Sequence, residues 1–156
     1  MLVIGFVVLP LDRAVSPLWQ ADRQVDLGVV SEMDLRYEYF WSRIEFTVDG
    51  VDLGSRWGGM PLLDFAASIK RVPDSISRNG RAEIDLTESS TIISFVRHSG
   101  LVRVSDTVSQ DVCCCSMSDL LDAVSAFIDK VATTLVGAHP DIKNNEFFKE
   151  LVSSLR

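Results

Sequence analysis

Cys113, Cys114 and Cys115 are consecutive, and the chain holds no other cysteine. Thiolates bind soft metals, attack electrophilic carbon and exchange disulfides, so the run raises three kinds of chemistry at once. Its spacing argues against a metal. A structural zinc site uses four ligands and separates its paired cysteines by two to four residues. Here the cysteines adjoin, and only His98 and His139 could complete a set. Nucleophilic attack needs a thiolate, which a nearby cation or helix N-terminus must stabilise. No Lys, Arg or His lies within several residues of the run. Packing is the favoured reading, ahead of a redox role. Val112 to Cys115 then form a strand buried on both faces or nearly so. Cys113 and Cys115 point to one side, Cys114 points to the other, and all three act as small hydrophobes.

The other reactive side chains are as weakly organised. His98 adjoins Ser99, but the chain has no nucleophile elbow of the Gly-x-Ser-x-Gly type. A turn histidine in solvent is the better reading. His139 precedes Pro140 at a helix stop, where it complements the helix dipole. The stretch GSRWGG, from Gly54 to Gly59, lacks the Lys-Ser/Thr pair of a phosphate loop and the spacing of a dinucleotide fingerprint. Within it Trp57 is either a loop-borne binding anchor or a lid folded over the core, and the core reading is favoured. Asp49, Asp52, Glu83, Asp85 and Glu88 fall on hairpin turns or polar strand positions. Such carboxylates do acid–base work only in a cleft that shifts their pKa values. Their default is a solvated strand face, and a further use is a negative surface that steers a basic partner. No catalytic residue, cofactor site or metal site is assigned.

Charge supports that third use. The 156 residues carry 22 acidic and 15 basic side chains, a net charge of −7. This argues against phosphate-rich nucleic acid and against anionic membrane surfaces. The apolar run from Leu2 to Leu9 is far short of the roughly 20 residues of a membrane span. It lacks the basic flank of a secretory signal, although Ala14-Val15-Ser16 has the form of a weak cleavage site. A first strand or a disordered extension are its other readings. Three cysteines cannot all pair, which favours a reducing cytoplasm.

The elements that would position these residues follow from periodicity. Residues 10–32 are irregular, so a lead-in is set at 1–32 and a single domain at 33–156. In residues 33–41, Leu35, Tyr37, Tyr39 and Trp41 alternate with Arg36, Glu38 and Phe40 and read as a strand. A bulge at Ser42-Arg43 would shift the phase to Ile44, Phe46 and Val48. Asp49-Gly50 signals a hairpin with a return strand from Val51. Pro61 suits the first turn of a helix whose apolar stripe runs from Leu62 to Ile69, and Pro73 ends it. A meander follows. Its strands carry Ala82, Ile84 and Leu86, then Ile92 to Val96, then Val102, Val104 and Val108, then the cysteines. Ser116 with Asp119 matches a capping box, with Ser118 the competing cap, for a long helix stopped by Gly137 and Pro140. Asn144 or Asn145 caps a last helix bearing Phe147, Phe148, Leu151 and Leu155. The fold class is α+β. About six antiparallel strands form one sheet, with one helix inserted after the first hairpin and two C-terminal helices on one face.

The stretch FTVDGVDLGSRWGGMPLLDFAASI resembles the signature region of small uncharacterised bacterial proteins. They are similar to the immunity and accessory proteins encoded beside bacterial toxins. The shared outline is the Asp-Gly hairpin, the Arg-Trp-Gly element and a Pro-Leu-Leu-Asp-Phe-Ala helix, and it extends over about residues 33–155 of one domain. The resemblance implies no catalytic residues. With the acidic balance and the absence of a recognisable active site, the reading is a non-enzymatic protein-binding domain, an immunity-type inhibitor that blocks a basic toxin by steric and electrostatic occlusion, with Asp49, Asp52, Trp57, Glu83 and Asp85 at the contact. The alternative is an enzyme or small-molecule binder with a pocket between sheet and helices near Trp57, using Arg56, Asp64 and His98. If Asp64 is buried it needs a partner such as Arg56 or Arg43. A homodimer through a sheet edge or the last helix is a third possibility, because Phe147 and Phe148 do not both fit one small core easily.

Overall fold

The computed structural model describes residues 1–10, 12, 25–86 and 88–153. Among these, two four-stranded antiparallel sheets and four α-helices share one core. In the first sheet β1 (Leu2–Val8) pairs along its whole length with β2 (Trp41–Val48). Asp49 and Gly50 then turn the chain with φ of 48° and 84°, the positive pair a tight hairpin requires. The short strands β3 (Val51–Asp52) and β4 (Gly59–Pro61) both pair with β2. The second sheet is a meander of β5 (Arg81–Leu86), β6 (Thr91–His98), β7 (Leu101–Asp106) and β8 (Val112–Cys115), in that order. The helices are α1 (Glu32–Glu38), α2 (Leu62–Asn79), α3 (Met117–Ala138) and α4 (Glu146–Val152).

The single sheet expected from sequence is therefore two. Helix α2 has 18 residues, about 27 Å of rise at 1.5 Å per residue. It carries the chain away from β4 before β5 begins, so hairpin pairing restarts in a second sheet. The expected lead-in over 1–32 is also corrected at its start. Leu2, Ile4 and Phe6 are buried, and the run is a sheet strand. Residues 13–24 lie outside the described set.

The strand expected over residues 33–41 is a helix followed by the start of β2. Ser31 caps α1 by accepting the Asp34 N–H at 3.1 Å, and Glu32 and Asp34 suit its first turn. The apparent alternation does not mark one face, since Leu35 and Tyr39 are buried but Tyr37 is exposed. No bulge forms at Ser42-Arg43, because these residues pair in unbroken register with Val8 and Val7. The phase shift comes from Phe40, at φ 62° between α1 and β2.

Pro61 caps α2 from outside its first turn, and Pro73 lies buried within the helix instead of ending it. An interior proline costs about 3 kcal/mol, mainly through the lost bond to the carbonyl four residues back. Burial of Leu62, Leu63, Phe65, Ile69, Val72 and Ile76 along the same helix outweighs that cost. Gly80, at φ 76°, ends the helix by donating its N–H to the Ile76 carbonyl at 2.8 Å. Ser116 caps α3 by accepting the Asp119 N–H at 2.9 Å. Gly137 stays inside α3. Val108, expected on the inner face of β7, lies beyond that strand and is exposed. Leu155 falls outside the described residues.

A chain of ring contacts ties the layers together. Phe6 meets Phe127, Phe127 meets Phe65, Phe65 meets Trp57, Trp57 meets Phe46 and Phe46 meets Phe95, all with centroids 5.3–6.4 Å apart. The path runs from β1 through α3 and α2 to β2 and then to β6.

Candidate functional site

Strand β8 exposes Val112 and Cys114 and buries Cys113 and Cys115. The expectation of burial on both faces is corrected to one face. All three cysteines are free. Burial pushes the Cys113 thiol up and takes Cys115 from about 9 to about 11. The folded state thus holds the Cys115 proton more tightly than the unfolded chain does. Its contribution to stability is intact below about pH 9 and is lost as the pH rises toward 11. Cys114 stands opposite Arg103 across the β7–β8 ladder, a neighbouring cation that local sequence does not reveal. In native protein one thiol is expected to react promptly with an aromatic disulfide reagent, against three in denaturant. A native count of three would overturn the packing of Cys113 and Cys115.

Trp57 is not an exposed anchor. It is 1% exposed, packed between the rings of Phe46 and Phe65, and its Nε1–H donates to Asp106 Oδ2 at 2.8 Å. The glycine that opens its turn answers a packing demand. A Cβ at Gly54 would lie 2.5 Å from the Ile44 carbonyl oxygen. Arg56 is exposed on the same turn, and His98 is exposed at the end of β6.

The four acidic candidates divide into two groups. Glu83 and Asp85 project from the outer side of β5. Asp49 and Asp52 occupy the β2–β3 hairpin, where Asp49 accepts from the Met1 ammonium and Asp52 accepts the Ser55 N–H at 3.1 Å. The Met1 ammonium also lies 3.7 Å from Asp119, which places the hairpin tip beside the β8–α3 junction. Strands β5 and β8 are opposite edges of the second sheet, three spacings or roughly 14 Å apart.

Asp64 pairs with Arg36, at 2.7 Å from Nε to Oδ1, and not with Arg56 or Arg43. Their side chains are 22% and 18% exposed, respectively. Burial of Arg36 works against its charge, but the hydrogen bond and charge of Asp64 prevail and hold its pKa above the ordinary value. Arg36 also stacks 5.8 Å from the Phe147 ring centroid. It lines a groove of about 800 Å³ between α1, α2 and α4, with Lys70, Arg71, Arg78, Glu83 and Phe147. Most of this charge is already engaged. Lys70 Nζ donates to the Glu150 and Leu151 carbonyls at 2.8 Å, closing the end of α4, and burial lowers its pKa. Arg78 meets Asp74 at 3.2 Å. A second groove of about 770 Å³ adjoins the first at Glu32, Phe147 and Glu150. Trp57 lines neither groove.

The second sheet presents an outer face that sequence reasoning described only as polar. Glu83, Ser94, Ser105 and Val112 form one row across its four strands, and Arg81, Val96, Arg103 and Cys114 form the next. Val96, Leu101 and Val112 are 43%, 44% and 58% exposed. Among the described residues no group of three or more His, Cys, Asp or Glu could hold a metal ion, and no helix is long and apolar enough to cross a membrane. No protein-family model, curated protein or solved structure matches the chain.

Proposed function

We propose that this chain is a non-enzymatic protein-binding domain that occludes a basic protein partner, as an immunity protein occludes its toxin. The observation that carries this reading is the exposed outer face of β5 to β8, where valine and leucine side chains alternate with charge. By strand spacing and rise the face covers roughly 400 Å², about half of what one partner buries in a standard interface. The hairpin tip at Asp49 and Asp52 borders the β8 edge and would extend it. Apolar burial would supply affinity there; because Arg81 and Arg103 offset Glu83 and Asp85 on this face, steering of a basic partner would rest on the chain's net charge of −7 together with the acidic hairpin tip. Three free cysteines suit a reducing cytoplasm. The groove at Arg36 supports a small-molecule reading less well, because Arg36, Lys70 and Arg78 already hold partners inside the protein.

The test is affinity capture by the tagged protein from lysate of its native cell, washed at low and high salt. The expected result is one near-stoichiometric basic partner that high salt removes. Glu83→Lys with Asp85→Lys should abolish its capture, and Arg71→Glu in the groove should not. Absence of a partner, or capture indifferent to the β5 reversal, would sink this reading.

A further inference from the structure

We infer that the partner of the second sheet brings an acidic segment to this face, and that its carboxylates sit at Arg81 and Arg103, on either side of Val96. The inference rests on the reading of this face as the contact surface and names what lies opposite one end of it. The register places the residues. Arg81 pairs with Val96 and Val96 with Arg103, so the three side chains stand in one row, on the side away from buried Ala82, Phe95 and Val104. The two arginines are two strand spacings, or roughly 10 Å, apart. The next pair along β6 and β7 is His98 with Leu101, joined by a tight turn in which Ser99 and Gly100 have φ of 52° and 80°. Arg97 is exposed at the same strand end.

Charge on this sheet is divided along the strands. Residues 95–103 hold Arg97, His98 and Arg103 and no acid, and Arg81 opens β5 beside them. Residues 84–94 and 104–113, toward the other strand ends, hold Asp85, Glu88, Asp106 and Asp111 and no Lys, Arg or His. Glu83, two residues along β5, partly offsets Arg81. Arg81, Arg97 and Arg103 take no part in the ion pairs among the described residues, and their side chains make no hydrogen bond there. Arg36, Lys70 and Arg78, by contrast, already hold partners within the chain.

An exposed charge by itself is ordinarily just solvated, and Arg81 on an edge strand also guards against strand pairing. Arg103 has no such duty, because β7 lies inside the sheet. What marks the row is its apolar centre. Val96 stands between the two arginines, Leu101 stands beside Arg103 and His98, and both are exposed. A guanidinium takes a carboxylate in a two-pronged hydrogen-bonded fork, while its stem covers apolar surface. The complementary element is therefore an apolar side chain flanked by two carboxylates. In an extended segment that is an acid, any residue, an apolar residue, any residue and an acid, because every second side chain faces the same way. A polyphosphate fits less well. Its charge repeats along the whole contact, whereas Glu83 and Asp85 lie further along β5 and the acidic hairpin tip lies beside the β8–α3 junction.

Titration of the isotope-labelled full chain with the end-blocked peptide Glu-Gly-Leu-Gly-Glu, followed by amide NMR shifts, tests the inference. The expected result is millimolar binding that moves the amides of Arg81, Val96, His98 and Arg103, while Lys-Gly-Leu-Gly-Lys leaves them in place. Arg81→Glu with Arg103→Glu should weaken the acidic peptide by about tenfold or more and let the lysine peptide bind there. Arg81→Gln with Arg103→Gln, which adds no acid, should weaken the first peptide without admitting the second. In partner capture the glutamate pair makes the chain more acidic, so a uniformly basic partner would be held more tightly, whereas a partner with an acidic segment here should be lost. Amides unmoved to tens of millimolar peptide, equal shifts from both peptides, or stronger capture by the glutamate pair would overturn the inference. So would an oligonucleotide or an anionic vesicle that moves these amides where the acidic peptide does not. Intact peptide shifts with no captured partner would count against the toxin reading alone and leave the acidic-segment site standing.

Discussion

Asn145→Asp is expected to destabilise this protein more than Asn145→Ala at neutral pH, although aspartate is the closer mimic in shape. Asn145 is 3% exposed. Its Nδ2 donates to the Leu27 and Val30 carbonyls at 2.9 and 3.0 Å. Its Oδ1 accepts the Phe147 and Phe148 N–H groups at 3.0 and 3.3 Å, capping α4. Alanine removes the cap and leaves the carbonyls without a donor, a loss of about 3 kcal/mol. Aspartate keeps the cap but aims a carboxylate oxygen at two carbonyl oxygens in a buried site. That should cost about 4 kcal/mol or more. Protonation would restore one donor, so the folded variant's carboxyl should titrate above the usual value of about 3.9. The extra penalty should then shrink as pH falls through that raised value, and alanine should show no such recovery. Urea midpoints at pH 7 and pH 5, each referred to wild type, decide the matter. Equal stability of wild type and Asn145→Asp at pH 7 would refute the tie between α4 and the segment at Leu27.

Trp57→Ala should cost about 4 kcal/mol, the usual range for emptying a buried aromatic site. For a chain of this size that lowers Tm by roughly 10 °C or more. The ring joins Phe65 of α2 to Phe46 of β2 in the aromatic path from β1 to β6, so its loss breaks the path at α2 while Phe46 still meets Phe95 across the two sheets. Trp57→Phe separates packing from hydrogen bonding. It keeps most contacts with Phe46 and Phe65 and loses only the donor to Asp106, at about 1–2 kcal/mol. Asp106 would still accept the Val108 and Ser109 N–H groups. Thermal denaturation followed by circular dichroism gives both values. An unchanged Tm for Trp57→Ala, combined with lost partner capture, would return Trp57 to the role of contact residue and contradict its burial.

What the sequence determined by itself was local. The Asp49-Gly50 hairpin and the β5–β8 meander were legible, and the caps were narrowed to Ser116 or Ser118 and to Asn144 or Asn145, because each depends on a few adjacent residues; the structure chose Ser116 and Asn145. The cysteine run was legible as packing by the same local logic, although only tertiary structure showed that Cys114 faces outward. The segment around Leu35 misled, because nine residues with mixed apolar content fit a strand period and a short helix alike. The Ser31 cap and the burial of Leu35 decided for the helix. Pro73 misled because its local cost is set against burial along the whole of α2.

What only the tertiary structure decided was pairing across distance. Leu2 sits opposite Val48, Arg36 reaches Asp64 across 28 positions, Trp57 reaches Asp106 across 49, and Asn145 reaches Leu27 across 118. A hydrogen-bonding group specifies the kind of partner it needs but not which one. The choice among distant candidates is made when burial of the core brings one of them within about 3 Å and excludes the water that would otherwise serve.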